Sequence, residues 1–407
     1  MQVSAASATA DTRVISLIGV AHFFSHFYQL TLPALFPLML TAEGLSWAEL
    51  GTLSATLFVA SGIAQTPSGF LVDKVGARPL LIGGMLLMSG AMMGFWFADS
   101  YTLMLVLAFV TGLGNSVFHP ADFSILNGSV DSSRMGRAFS VHHFGGYIGY
   151  ASAPFLMLAL GYEIGWRESV LLVGCLGFGV TALIWFNRLH LRDCGIDQGI
   201  QPQPILNEIS ALARPSFVMA FLFFAFMAMG SVGLMALGAG ALIQLIDIPA
   251  KLANGAISLQ LTGTIAGVLI GGYIADRISR HDHMTALVVL IGAVLLQSFP
   301  VFRIADPTVF IPVLVCYGVL YGIAGPMRDM VIRTITPKGA AGKVFGFTYS
   351  GMDVGSAISG VVFGYLLQKQ QPELVFVGVG LVMLIGVCIV LLARAMAMRE
   401  RGDGPAL

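Results

Sequence analysis

The segment GFLVDKVGAR at residues 69–78 returns in outline as GYIADRISR at residues 272–280. The first glycines, the aspartates and the basic residues that follow them are each 203 positions apart in the two copies. A second set of matches has an offset of 206 positions and pairs Pro120 with Pro326, Gly136 with Gly342, Arg137 with Lys343, Phe139 with Phe345, Gly145 with Gly351 and Gly149 with Gly355. Matching registers in separate places indicate that the chain consists of two related halves.

The composition places the chain in a lipid bilayer. Of its 407 residues, 57% are apolar and 10% are charged, and the mean hydropathy is +0.85. In soluble proteins about 25% of the residues are charged. Roughly 20 apolar residues cross a bilayer, so a chain of this length can supply about a dozen spans. Basic and acidic residues balance at 21 each, so the net charge does not indicate a nucleic-acid partner.

Apolar runs between turn and charge clusters predict twelve transmembrane helices. They cover residues 14–40, 47–72, 79–98, 101–127, 137–160 and 167–190, and then residues 214–244, 250–275, 284–303, 308–333, 342–368 and 373–397. The longest polar stretch lies between the two sets. We therefore predict an all-α membrane protein of two pseudo-symmetric six-helix bundles, with an N-terminal half (1–190), a cytoplasmic linker (191–213) and a C-terminal half (214–407).

The distribution of lysine and arginine predicts the orientation of the spans. With both termini in the cytoplasm, 16 of the 21 basic residues fall on the cytoplasmic side, four fall on the far side, and Arg328 lies inside a span. Cytoplasmic loops are enriched in positive charge, so this bias indicates a multi-pass protein of the cytoplasmic membrane with both termini inside.

The duplicated loop resembles the signature loop of the major facilitator superfamily, and the resemblance covers the whole chain. It implies the major facilitator fold and a transporter, not an enzyme. In that family the loop acts as a conformational latch between the halves. The resemblance extends this role to Gly69, Asp73, Lys74, Arg78, Gly272, Asp276, Arg277 and Arg280. A basic loop that only sets the topology is the alternative, but it does not account for an aspartate in both copies.

Three further segments resemble the fosmidomycin resistance group of drug exporters within that superfamily. They are AHFFSH at residues 21–26, GLGNSVFHP at residues 112–120 and FGGYIG at residues 144–149. The resemblance implies drug resistance through proton-coupled antiport. That group typically carries aspartate where this chain has His26, and an intramembrane carboxylate is a usual proton carrier. The departure therefore bears on both the coupling and the substrate.

Polar and ionisable residues inside the spans are candidates for the functional site. Such groups cost at least about 2.5–3.5 kcal/mol at the centre of a membrane helix, so they are usually kept for function. In spans one and four they follow i, i+4, i+7 spacing, which puts each set on one helix face. The candidates are His22, His26, Gln29, Asn115, His119 and Asp122 in the first half, and Arg328, Asp329, Tyr349 and Asp353 in the second half.

The histidines of spans one and four leave three interpretations open. Histidine titrates between pH 5 and 8, so His22, His26 and His119 could carry protons or contact the substrate. The side chains could instead bridge helices through hydrogen bonds of about 0.6 kcal/mol each. Finally, His22, His26, His119 and Asp122 form a set of nitrogen and oxygen ligands that suits a transition metal. The adjacent His142 and His143 on span five cannot both face one cavity, which favours the structural interpretation for them.

Arg328 indicates a role different from that of the histidines. A guanidinium in a cavity pairs with a carboxylate, phosphate or phosphonate, so it indicates an anionic group on the substrate. An intramembrane ion pair with Asp329 or Asp353 is the alternative, and the two can coexist if the substrate competes for the arginine.

Together these features predict a secondary active transporter that moves a small organic solute, anionic or zwitterionic, by alternating access and proton-coupled efflux. The substrate is expected between Arg328 and the polar faces of spans one and four. The alternative is a transporter of a transition metal or metal chelate, and a remote alternative is a non-transporting sensor or an intramembrane enzyme. We expect a proton gradient but no cofactor, a small-molecule substrate and the lipid bilayer as partners, no nucleic acid, and a monomer.

Overall fold

The computed structural model describes residues 5–45, 47–193, 210 and 212–400. The predicted linker falls mainly on residues 194–209 and 211, which lie outside these ranges. Thirteen long α-helices have both ends within the described residues. They are α1 (Ala5–Glu43), α2 (Trp47–Val75), α3 (Ala77–Trp96), α4 (Tyr101–Asn115), α5 (Phe118–Ser129), α6 (Met135–Ile164), α7 (Trp166–Asn187), α8 (Pro215–Ile246), α9 (Ala250–Ala275), α10 (His281–Phe302), α11 (Pro307–Ile335), α12 (Ala341–Gln368) and α13 (Pro372–Glu400).

The helices are long and apolar enough to cross a membrane. Within the described part of the chain, eleven spans meet this condition by length and composition, and α4 and α5 together form one of them, Tyr101–Ser129. Helix α1 is not among the eleven, although its 39 residues are ample for a crossing. Its middle contains His22, His26 and Gln29, which lower its hydropathy. The predicted fold class, an all-α membrane protein built from long apolar helices, is confirmed.

The fourth span is broken where the sequence predicted one continuous helix over residues 101–127. Helix α4 ends at Asn115 and α5 begins at Phe118. A proline inside a helix has no amide hydrogen and its ring clashes with the carbonyl group four residues earlier. Pro120 directs this effect at Ser116, which lies in the turn between α4 and α5.

The described residues form two compact units. The first unit takes its residues from 1–132, 141–202 and 337–346, and the second from 133–140, 203–336 and 347–407. Helices α6 and α12 therefore each begin in one unit and continue in the other. The repeat matches Gly136 and Gly342 lie in the first turns of α6 and α12.

Glycine allows the helices to approach closely at these beginnings. In the first unit, a Cβ atom added at Gly69 would meet the Gly342 carbonyl oxygen and lie 2.8 Å from the Cα of Lys343. In the second unit, a Cβ atom added at Gly272 would meet the Ser140 side chain and lie 2.9 Å from the Gly136 carbonyl oxygen. Backbone cannot move aside as a flexible side chain can, so these positions require glycine.

Replacing Gly69 with alanine should therefore destabilise the protein. We expect Gly69→Ala to lower the unfolding free energy by about 1–3 kcal/mol, because the new methyl group overlaps backbone atoms. Thermal unfolding of the detergent-purified protein measures the change. The matched control is Gly83→Ala on α3, since an added Cβ there meets no atom within 4 Å. Equal melting temperatures for the two variants would contradict this account of the packing.

Candidate functional site

The loop aspartate of the first unit, Asp73, lies at the beginning of α12. Its Oδ1 accepts a hydrogen bond from the Gly342 amide (2.9 Å), and its Oδ2 accepts one from the Lys343 amide (3.1 Å). The Lys343 ammonium nitrogen is 3.7 Å from the same Oδ2. The first amides of a helix have no partners inside it and carry partial positive charge, so a carboxylate is favoured there.

The second unit repeats this arrangement with Asp276 at the beginning of α6. The Asp276 Oδ1 accepts hydrogen bonds from the amides of Gly136 (2.7 Å) and Arg137 (3.4 Å). The Arg137 guanidinium also forms an ion pair with Asp276 Oδ2. The two loop copies therefore do the same physical work, which is to hold the start of a helix through its amides and its first basic residue.

The basic residues of the loops lie at the surface of their units. Lys74 is exposed and Arg78 is half-buried. The Arg277 guanidinium stacks on the Tyr273 ring at 3.4 Å, and the Arg280 Nε lies 3.6 Å from the Asp282 carboxylate. Their predicted role in a conformational latch stays a prediction, whereas the aspartates and glycines have a defined structural task.

A buried cluster of histidines surrounds Asp122 in the first unit. The Asp122 Oδ2 lies 3.1 Å from Nδ1 of His22 and 3.1 Å from Nε2 of His142. The His22 ring stacks on the His142 ring at a centroid distance of 3.6 Å, and it lies 4.4 Å from the His26 ring and 5.1 Å from the His119 ring. Helices α1, α5 and α6 thus bring their ionisable residues to one place.

A second polar layer lies beside this cluster. The Gln29 amide nitrogen donates to the Asn115 side-chain oxygen (3.0 Å), and the Asn115 amide nitrogen donates to the Ser61 hydroxyl (2.8 Å). The Tyr150 hydroxyl donates to Gln29 Oε1 (2.6 Å). Gln29 and Asn115 were predicted as site residues, and the structure brings them together through direct hydrogen bonds across α1 and α4.

The cluster includes one residue that sequence reasoning set aside. The pattern indicated His22, His26, His119 and Asp122 but favoured a structural role for His142. The structure places His142 against Asp122 and stacks it on His22. Its signal in the sequence was weak, because two adjacent histidines on α6 do not reveal which one faces the cluster.

The second unit holds a buried ionic network around Arg328. Its Nε lies 3.2 Å from Asp329 Oδ1, and its Nη2 lies 3.4 Å from the Tyr349 hydroxyl. The Tyr349 hydroxyl donates to the Asp329 carboxylate at 3.0 Å. The Arg328 guanidinium also stacks on the Phe224 ring, 4.3 Å from its centroid. Of the two expected ion-pair partners, Asp329 makes the contact.

Asp353 differs from Asp329 in its surroundings. Asp329 is fully buried, whereas the Asp353 side chain is exposed in its unit. Asp353 follows Tyr349 by four residues on α12, so the two side chains share one helix face. This gives the second unit an accessible carboxylate one helical turn from the Arg328 network.

These features define the class as a polytopic helical membrane protein with a duplicated loop and polar clusters inside its spans. The chain belongs to the Major Facilitator Superfamily, whose family model matches residues 18–359 and 248–405. It is a transporter of small solutes and not an enzyme, and the predicted membership is confirmed.

Known relatives and a solved structure agree with this assignment. The fosmidomycin resistance protein of Escherichia coli is 25% identical over 284 residues, which cover 68% of this chain and 69% of that protein. A protein of Cupriavidus necator named "Probable sulfoacetate transporter SauU" is 22% identical over 88% of this chain and 87% of its own length. The major facilitator transporter FucP of Escherichia coli shares the fold, with a TM-score of 0.74 and 15% identity over 94% of this chain and 99% of that chain.

The contact of Asp73 with the start of α12 gives a direct prediction. Asp73→Ala should lower the unfolding free energy by about 0.5–2 kcal/mol, because the amides of Gly342 and Lys343 lose their acceptor. Asp276→Ala should have a similar effect through α6. Thermal unfolding in detergent measures both, with Asp99→Ala as the control because Asp99 is an exposed residue after α3. If Asp73→Ala and Asp276→Ala melt at the same temperature as the control, these contacts do not stabilise the protein.

Proposed function

We propose that the chain exports a small anionic or zwitterionic organic solute across the cytoplasmic membrane, in exchange for protons and by alternating access. The observation that supports this most is the buried guanidinium of Arg328, held beside an ionic partner and an aromatic ring within a membrane-spanning helix. A charge at this depth is costly and is usually retained for function.

Arg328 supports an anionic group on the substrate. Its guanidinium offers several N–H groups in a plane, which suit a carboxylate, sulfonate or phosphonate. Asp329 neutralises Arg328 through a contact at 3.2 Å, so a substrate anion that binds the guanidinium would compete with Asp329. The stacked Phe224 ring keeps the guanidinium plane in position during such an exchange.

Asp353 supports the exchange with protons. An accessible carboxylate in a span can hold either a proton or the ammonium group of a zwitterionic substrate. These two ligands exclude each other, so protonation from an acidic exterior would release the substrate outside. Deprotonation inside would restore the site for the next substrate molecule. Competition at one carboxylate is sufficient to couple the proton gradient to export.

The names of the relatives favour the same substrate class. One relative is a fosmidomycin resistance protein, and another is named a probable transporter of sulfoacetate, an organic anion. A substrate panel for this chain should therefore contain fosmidomycin, sulfoacetate and small zwitterions such as amino acids. Transport of a metal ion or chelate, the other function predicted from the sequence, would use the histidines of the first unit.

Reconstituted protein tests the proposal. A panel member that stabilises the purified protein is placed inside proteoliposomes with an acidic exterior, and proton entry is followed with an internal pH dye. We expect substrate efflux together with proton influx. Arg328→Ala should weaken substrate binding about 10- to 100-fold, because a hydrogen-bonded ion pair of about 1.5–3 kcal/mol is lost. Arg328→Lys should be intermediate, since it keeps the charge but not the planar donors.

The Asp353→Asn variant tests the proton coupling. Its fixed neutral side chain should weaken the binding of a zwitterion, but at saturating substrate it should still permit exchange between equal solutions while removing the acceleration by an acidic exterior. Asp247→Asn is the matched control, because Asp247 is exposed just after α8. The proposal fails if no substrate that binds drives proton influx, or if Asp353→Asn responds to the pH gradient as the wild type does.

A further inference from the structure

Three imidazole rings of the first unit converge within reach of a single ion. One ring nitrogen each of His22, His26 and His119 lies within 4.8 Å of the others. The ring centroids are 4.4 Å apart for His22 and His26 and 6.1 Å apart for His26 and His119. Two of the rings come from α1 at i, i+4 spacing, and the third comes from α5. Such a set holds a metal ion from two helices at once.

A glycine leaves space where two of these nitrogens point. A Cβ atom added at Gly146 on α6 would lie 3.1 Å from Nε2 of His22 and 3.2 Å from Nε2 of His26. Both Nε2 atoms therefore approach the volume that a side chain at this position would fill. An ion next to Gly146 would therefore lie beside both nitrogens.

Asp122 is placed to orient one of the rings. Its Oδ2 lies 3.1 Å from Nδ1 of His22, which leaves Nε2 of that ring for another ligand. Histidines that bind metals almost always direct their second ring nitrogen to a carboxylate or carbonyl group, which fixes the ring and its tautomer. Asp122 is fully buried and its carboxylate lies within reach of this second nitrogen, where a small rotation of the His22 ring would align the two atoms.

His26 supplies an independent indication of a ligand. Both of its ring nitrogens are buried, and within the described residues neither has a hydrogen-bond partner. Buried side-chain polar atoms nearly always have a partner, so a ring with two such atoms requires an explanation. A cation beside Nε2 would provide it, at the place that Gly146 leaves open.

We propose that His22, His26 and His119 bind a divalent first-row transition-metal ion, with Asp122 as a positioning residue. Three neutral imidazoles suit Zn²⁺, Co²⁺ or Ni²⁺, whereas Mg²⁺ and Ca²⁺ prefer oxygen ligands. A three-histidine site on Zn²⁺ leaves a fourth coordination position for water or another ligand. The proposal concerns binding at the first unit and does not rest on the proposed export of an organic solute.

Metal binding is measured on the full-length protein in detergent after treatment with a chelator. We expect micromolar Zn²⁺ or Co²⁺ to raise the melting temperature, and bound Co²⁺ to show the visible absorption of nitrogen coordination. Mg²⁺ at the same concentration should have no effect. His26→Gln and His119→Gln should each remove the shift and the absorption, and Asp122→Asn should weaken the affinity about 10- to 100-fold.

Two further variants keep the test decisive. The double variant His190→Gln and His283→Gln removes exposed histidines, so it should bind as the wild type does. Gly146→Ala retains all three histidines but fills the space at their nitrogens, so it should bind more weakly even if a histidine variant fails to fold. Unchanged binding in Gly146→Ala and in the folded histidine variants, or no metal-dependent shift in the wild type, would overturn the proposal and leave a structural histidine cluster.

Discussion

A chain inside hydrocarbon must satisfy its polar groups with its own atoms, and this constraint governs the structure. Helices satisfy their backbone internally except at their ends, where the first amides lack partners. Side chains that carry charge must find neighbours from other helices or face a cavity. The locations of the polar side chains therefore reveal both how the helices are held and where solutes are handled.

The helix ends show how unpaired backbone amides are satisfied. Asp73 and Asp276 each receive the first amides of a helix, and Gly69 and Gly272 allow that helix to approach. The two features are coupled, because a carboxylate can accept hydrogen bonds from the amides only if the backbones come close. This explains why glycine and aspartate recur together, four residues apart, in both copies of the loop.

Sequence patterns predicted much of this, and the reasons are physical. Hydrophobic runs report burial in lipid, so the spans were predictable, and the duplicated loop revealed the two related halves. The stripe spacing put His22 and His26 on one face, but it did not predict which helices converge. That depends on the packing of α1, α5 and α6, which also brings His142 against Asp122. The break near Ser116 was also missed, because other prolines, such as Pro326, lie inside continuous helices.

The glycine contacts also show which positions of the two units correspond. An added Cβ at Gly145 would meet the Gly19 carbonyl oxygen, and one at Gly351 would meet that of Phe221. The same relation links Gly149 with Phe23 and Gly355 with Ala225. The contacted residues, Gly19 and Phe221 or Phe23 and Ala225, are 202 positions apart in both cases. At the same offset, Phe224 on α8 is the counterpart of His22 on α1.

At an offset of 206, Arg328 is the counterpart of Asp122. Each unit thus places a charged residue against the same position of its first helix, and the partner matches the charge. A histidine lies beside the carboxylate, whereas an aromatic ring lies beside the guanidinium. A duplicated backbone can therefore hold charges of opposite sign, provided that the neighbouring side chain changes with the charge, and the two units became chemically distinct without any change of fold.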